Sequence, residues 1–258
     1  MPRLRKHPPG VDPALLCKDA ARLMPQPTRR AFLRGGASLG ALAFLTGCDI
    51  VDSRSAERAL IKVSHFNDRV QAWLFNPGKL APTYPDSAVR RPFPFNAYYP
   101  EDEAPEVERA DYALEVGGMV ENKKTWTLDE LEALPQETQI TRLICVEGWS
   151  AIGKWSGVRF SEFLRRVGAD TRAKYVWFRC AEGYSTSIDM PTALHPQTQM
   201  TLRFDGETLP RKYGFPLKLR MPTKLGFKNP KHVMEIAVTD KYLGGYWEDQ
   251  GYNWFSGN

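Results

Sequence analysis

The chain is poor in the residues from which a protein builds a metal site unaided. Four cysteines and four histidines are scattered through 258 residues, no CxxC pair is present, and His7, His65, His195 and His232 lie more than 30 residues apart. That spacing rules out an HExxH helix or a zinc finger and argues against a zinc site made by protein alone. A spanning helix is missing too: the apolar stretch Gly35 to Thr46 has about 12 residues, where a bilayer needs roughly 20. No low-complexity tract and no fixed period occurs, which excludes fibrous and solenoid architectures.

Charge of one sign is scarce outside the N-terminus. Lysine and arginine total 35 against 30 acidic residues, a formal +5. Residues 1–47 alone hold eight basic side chains against Asp12 and Asp19, a net of +6, so the remaining chain carries −1. A domain near neutrality has no global field to draw it to phosphate backbone, so no nucleic-acid partner is expected.

What is present has a globular balance: 42% hydrophobic, 25% charged and 12% aromatic residues, enough for one large domain or two small ones. The 20 prolines favour short strands and loops, because proline breaks both a helix and a strand ladder. Ahead of the apolar stretch, Thr28-Arg29-Arg30-Ala31-Phe32-Leu33-Arg34 reads as a twin-arginine signal, and Leu45-Thr46-Gly47-Cys48 resembles a lipoprotein cleavage box. The expectation is a leader over 1–48, export to the periplasm, and Cys48 as a candidate lipid anchor. Because the twin-arginine route carries proteins already folded, often around a cofactor, the leader points toward a cofactor enzyme. Its removal would leave Cys145 and Cys180, whose spacing neither supports nor excludes a disulfide.

Residues 49–109 combine seven prolines from Pro77 to Pro105 with Phe66, Trp73, Phe75, Phe93, Phe95, Tyr98 and Tyr99. Proline opposes regular structure and the aromatics avoid water, so an extended segment packed on the domain is expected there. A domain over 110–258 follows. Tyr112 to Val116 alternates, and Thr127-Leu128-Asp129-Glu130 is a capping box opening a short helix that Pro135 ends. Strands are expected over 138–146, 174–180, 184–190, 200–204, 217–221 and 232–239, with a turn at Asp205-Gly206 and a helix over 160–167 stopped by Gly168.

Arg142-Leu143-Ile144-Cys145-Val146-Glu147-Gly148-Trp149-Ser150 puts a cysteine at the end of an apolar strand, where a glycine turns the chain. Such an edge suits a ligand or nucleophile; the plainer alternative is a small buried hydrophobe. The run from Gly148 to Gly153 misses the serine-hydrolase elbow G-x-S-x-G by one residue. Farther on, Lys218 and Arg220 alternate with Leu217, Leu219 and Met221. Two cations could thus converge on an anion while the apolar face stays in the core; a solvated strand face is the alternative. The turn Leu225-Gly226-Phe227-Lys228-Asn229 adds backbone N–H groups and lysine suited to a phosphate.

Five segments together carry a resemblance: Asn96-Ala97-Tyr98-Tyr99, Arg142 to Trp155, Thr192-Ala193-Leu194-His195-Pro196, Gly214 to Arg220, and Pro222 to Lys228. In order and spacing, over roughly residues 90–258, they resemble the sulfite oxidase family of molybdopterin enzymes. The likeness is greatest to its bacterial periplasmic branch, which includes the catalytic subunit of protein-methionine-sulfoxide reductase. The resemblance implies an α+β, strand-rich, single-domain molybdopterin-binding fold with Mo-molybdopterin as cofactor. It implies two-electron oxygen-atom transfer on a sulfur or nitrogen oxide, small or protein-bound, and electron exchange with a separate haem protein, a membrane cytochrome b. Cys145 would be the thiolate ligand to molybdenum, a soft donor matched to the metal.

On the same resemblance Asn96 and Tyr99 contact the cofactor, Cys180 lines the pterin pocket, and Tyr213, Lys218, Asn229 and Lys231 hold the pterin and its phosphate, with Arg220 in the same basic cluster. Pro100, Cys180 and Tyr213 stand where the methionine-sulfoxide reductase pattern has an acidic residue, a threonine and an asparagine. The family's cytochrome b5 and separate dimerisation domains are expected to be absent. The competing expectation is a cofactor-free exported binding lipoprotein in which Cys145 is a buried structural residue.

Overall fold

The computed structural model describes residues 53–257, so the leader segment lies outside the described residues. A helix, α1 (Ser53–Leu74), comes first, and an irregular stretch with single 3-10 turns at 86–88, 101–103 and 109–111 leads into the sheets. The first sheet joins β2 (Trp126–Thr127), β1 (Ala113–Gly118), β10 (Val233–Thr239), β5 (Tyr175–Cys180) and β6 (Ser185–Asp189) in that order. Its β1 and β10 run parallel, and its other pairs are antiparallel. The second joins β3 (Gln136–Ile144), β4 (Ser150–Arg159), β7 (Gln199–Phe204) and β8 (Glu207–Thr208), with β9 (Lys218–Arg220) also paired to β7, all antiparallel. Short helices α2 (Leu128–Glu132), α3 (Phe160–Arg166) and α4 (Met190–Ala193) fill the connections.

One core joins the two sheets. Leu114, Val176, Phe178, Ile236 and Val238 of the first meet Val158, Met200, Leu202 and Leu219 of the second, and α3 adds Phe160, Phe163 and Leu164. Burying such side chains is worth about 1.5–3 kcal/mol each, the main drive for the arrangement. A smaller cluster gathers Leu143, Trp155, Phe204 and Tyr213 around Phe93, whose ring meets Trp155 edge-on at 5.2 Å. Phe93 thus ties the proline-rich stretch to the second sheet.

The local signals appear where the chemistry demands them. Thr127 Oγ1 accepts from the Glu130 N–H at 3.3 Å, and the Glu130 carboxylate accepts from the Thr127 N–H at 2.9 Å, so both halves of the capping box are made. Asp205 and Gly206 both hold positive φ, +53° and +93°, as a tight hairpin between β7 and β8 requires. One expectation and one alternative differ from the structure. Residues 53–74 are helical, not extended: they contain no proline, and Val63, Phe66, Val70 and Trp73 recur at helical spacing. The prolines that suggested an extended chain begin only at Pro77. Strand β9 is not a solvated face either, since Lys218, Leu219 and Arg220 are all buried.

Candidate active site

β3 and β4 are joined through Cys145-Val146-Glu147-Gly148-Trp149, and β5 and β6 through Cys180-Ala181-Glu182-Gly183-Tyr184. The two turns are built alike. Gly148 N–H donates to the Cys145 carbonyl at 3.1 Å and Cys145 N–H to the Trp149 carbonyl at 2.9 Å; the corresponding bonds from Gly183 and Cys180 are 3.1 and 2.8 Å. Both glycines take left-handed φ, +90° and +81°, which a side chain resists. Each hairpin tip thus carries a cysteine, a glutamate two residues on, and an aromatic residue after the glycine.

The two tips wall one cleft of about 350 Å³, with Cys145 and Glu147 from one and Glu182 and Tyr184 from the other. Asn96, Tyr98 and Tyr99 enter from the segment before β1, Asn229 and Lys231 from the loop after β9, and Trp247 and Tyr252 from the C-terminal stretch. Cys145 is buried except for its cleft-facing edge, and its Sγ lies 3.6 Å from Glu147 Oε2, which also accepts from Trp149 Nε1 at 2.8 Å. Burial pushes the Cys145 thiol up from its ordinary value. Both Cys145 and Cys180 are free thiols.

Three buried cations adjoin this wall without a carboxylate to pair with. Lys218 Nζ donates to the Asn229 carbonyl at 3.3 Å, Lys231 Nζ to the Lys212 carbonyl at 3.0 Å, and Arg220 to the Arg142 carbonyl at 2.5 Å and to Asn229 Oδ1 at 3.0 Å. Among the described residues none of the three forms an ion pair, whereas buried Lys224 has Asp189 at 3.9 Å and buried Lys228 is paired with Glu248. Burial, then the charges of Lys231 and Arg220, pulls Lys218 well below its ordinary value; burial brings Lys231 down to about 8. Gly214, at φ +120°, lets the two lysine stems close on each other, since a Cβ there would lie 2.9 Å from Lys231 Cβ and 3.2 Å from Lys218 Cβ. Cations held by neutral oxygens alone are an incomplete set that an anion completes.

The structure sorts the residues nominated from sequence. Asn96, Tyr99, Cys145, Asn229 and Lys231 line the cleft. Lys218 and Arg220 are fully buried and off its wall, and Cys180 is buried beneath its hairpin tip. Tyr213 belongs to the Phe93 cluster, its hydroxyl donating to the Phe93 carbonyl at 2.6 Å, so it does not reach the cleft. The Asn229 amide is spent on its own loop and on Arg220, accepting from the Met221 N–H at 2.6 Å and from Arg220 at 3.0 Å and donating to the Leu225 carbonyl at 2.9 Å.

Sequence reasoning passed over Glu182 and the aromatic wall of Tyr98, Tyr184, Trp247 and Tyr252. The usable signal was the recurrence of Cys-x-Glu-Gly-aromatic at 145–149 and 180–184. Glu182 Oε2 and the Tyr99 hydroxyl are buried with no hydrogen-bond partner among the described residues. Burial pushes the Glu182 carboxyl up to about 7, opposed by Lys231 and Lys218. A carboxyl so raised binds its proton more tightly folded than unfolded, so the fold loses stability as pH rises from about 4.5 to 7. Glu182→Gln is therefore expected to match wild type in denaturant melts at pH 4 and to exceed it by about 1–3 kcal/mol at pH 8. Equal stability at both pH values would show that Glu182 is solvated.

Residues 101–247 match the family model for the oxidoreductase molybdopterin-binding domain. The chain belongs to this family. It is 64% identical, over 93% of its length and 92% of the relative's, to an Azospira oryzae protein provisionally named protein-methionine-sulfoxide reductase subunit YedZ1. It is 32% identical to the protein-methionine-sulfoxide reductase catalytic subunit MsrP of Xanthomonas axonopodis pv. citri, over 58% of this chain and 52% of that one, so it spans about half of that relative. In fold it is similar to the sulfane dehydrogenase SoxCD of Paracoccus pantotrophus, with a TM-score of 0.51 and 22% identity over 54% of this chain and 41% of that one.

This molybdopterin-dependent oxidoreductase therefore takes Mo-molybdopterin as its cofactor, and the residues at the cleft fit it. Buried cations that form no ion pair suit the pterin phosphate, the unpartnered Tyr99 hydroxyl and Arg220 Nε leave polar atoms for a ligand, and the Cys145 sulfur suits a soft metal.

Proposed function

We propose that this oxidoreductase transfers an oxygen atom, with two electrons, to or from a sulfur or nitrogen oxide, with Cys145 as the thiolate that holds molybdenum in the cleft. The observation that carries this reading is the position of Cys145: a thiol at a hairpin tip, facing a cleft that Lys231 lines, with Lys218 close to Lys231 at Gly214 and neither lysine in an ion pair among the described residues. Bound Mo-molybdopterin supplies the oxygen-atom and electron chemistry. The protein's part is to hold, orient and protonate. Lys218, Lys231 and Arg220 hold the phosphate end, and Asn96 and Tyr99 line the remainder. Tyr98, Trp247 and Tyr252 narrow the mouth and displace water from an incoming apolar oxide.

Reduction of an oxide R₂SO consumes two electrons and two protons and yields R₂S and water. Glu182, which lines the cleft and has its carboxyl raised to about 7, is suited to supply a proton near neutrality. Electrons would come singly from a separate haem protein. The Xanthomonas relative's name, a catalytic subunit, supports a partner subunit, and we read that partner here as a membrane cytochrome b. We also read Arg29-Arg30 as directing export to the periplasm and Cys48 as a candidate lipid anchor.

The test is turnover by protein loaded with molybdenum and pterin. With reduced benzyl viologen as donor, dimethyl sulfoxide or a sulfoxide-bearing peptide is expected to be reduced at a rate at least about tenfold above cofactor-free protein. Sulfite oxidation with ferricyanide would retain the reading and fix the opposite direction. Turnover of neither by fully loaded protein would overturn it.

A further inference from the structure

Between residues 63 and 74, α1 presents two faces of different character; a turn earlier Ile61, on the Asp68 side of the wheel, is itself 44% exposed. Asp68 and Gln71 look inward: Asp68 is buried and its carboxylate accepts from the Phe255 N–H at 2.6 Å, and Gln71 Oε1 accepts from the Gly257 N–H at 3.3 Å. On the wheel Phe66 lies about 160° from Asp68 and Trp73 about 20° from Phe66. That outward stripe is apolar and bare: Val63 is 54%, Phe66 56%, Trp73 82% and Leu74 66% exposed. Large apolar groups gathered on one helix face in water mark a surface that something covers.

The charge beside the stripe says what. Lys62, His65 and Arg69 are all exposed next to it, and the one acid of this stretch, Asp68, faces the domain. Over residues 60–74 the outer face of α1 therefore offers cations and no carboxylate. A second copy of the chain would set the same cations against themselves. Residues 1–47, with a net of +6, are no better matched. An anionic partner is complementary, and an apolar stripe of tryptophan, phenylalanine and leucine beside lysine and arginine is the pattern of a helix that lies in a membrane interface. No helix among the described residues is long and apolar enough to cross a membrane, so the contact is with the surface.

We infer that residues 60–74 of α1 dock this protein onto an anionic lipid surface, with Phe66, Trp73 and Leu74 entering the headgroup boundary and Lys62 and Arg69 meeting lipid phosphates. The surface is separate from the Cys145 cleft and stands whether or not the oxide chemistry proposed above is right.

The test is vesicle sedimentation of the cofactor-loaded full chain in a Cys48→Ser background, so that no acyl chain there contributes. Vesicles of phosphatidylcholine with phosphatidylglycerol are expected to carry the protein down, neutral phosphatidylcholine vesicles much less, and added salt should release it. Phe66→Ser with Trp73→Ser should weaken partitioning about tenfold or more. Lys62→Glu with Arg69→Glu, at exposed positions that threaten no packing, should remove the preference for the anionic lipid. Three results would overturn the inference: no binding to either vesicle, binding that both double variants leave unchanged, or a dimer that the Phe66 and Trp73 changes dissociate while vesicles are ignored. Capture of residues 1–52 by a cross-linker at Phe66→Cys, without vesicle binding, would assign the stripe to the chain's own N-terminus instead.

Discussion

Lys218→Met and Lys231→Met are each expected to lower pterin and molybdenum content together, with the loss growing on dialysis. Both ammonium groups are buried, both donate to a backbone carbonyl, and neither has a carboxylate partner. A phosphate between them would be desolvated, and removing one cation leaves it under-compensated at a cost of about 2–5 kcal/mol, by analogy with truncated buried charge pairs. That is roughly a thirtyfold or larger loss of cofactor affinity. Methionine keeps most of the bulk, so packing around Gly214 should survive. Lys174→Met, at an exposed position, should change neither metal nor pterin. Full pterin content in both buried variants, measured by fluorescence of the oxidised pterin after extraction, would remove the phosphate site from this cluster.

The second large effect is expected at Cys145. Serine is nearly isosteric but offers a hard oxygen in place of polarizable sulfur. The Cys145→Ser variant should fold as wild type, because the turn that presents the residue depends on backbone hydrogen bonds and on the left-handed Gly148. Turnover should fall by at least about a thousandfold. If a loaded Cys145→Ser protein keeps the wild-type rate, the cleft thiol is only a small buried hydrophobe.

Much of the fold was legible because its signals are local. The capping box at Thr127 and Glu130, the Asp205-Gly206 turn, the stop at Gly168 and the alternation of β1 each depend on a few neighbouring residues. Helix α1 was missed because composition pooled over 49–109 let the prolines after residue 76 mask a proline-free amphipathic run before them. In the cleft, Cys145 was visible as a thiol at a strand end followed by a turning glycine. Tyr213 was carried over by resemblance, and its hydroxyl is instead taken by the Phe93 carbonyl, a long-range bond that no local pattern announces. Glu182 was invisible to composition for a different reason. An acid beside a glycine turn normally reads as a solvated loop, and only the pairing of two hairpin tips across one cleft buries it.

The thiolate assignment is tested most directly by X-ray absorption at the molybdenum edge, on loaded wild type and on Cys145→Ser. Cys145 as a ligand predicts one sulfur neighbour fewer in the variant, with an oxygen neighbour in its place and loss of the thiolate-to-molybdenum absorption band. Identical sulfur coordination in the two proteins would contradict it.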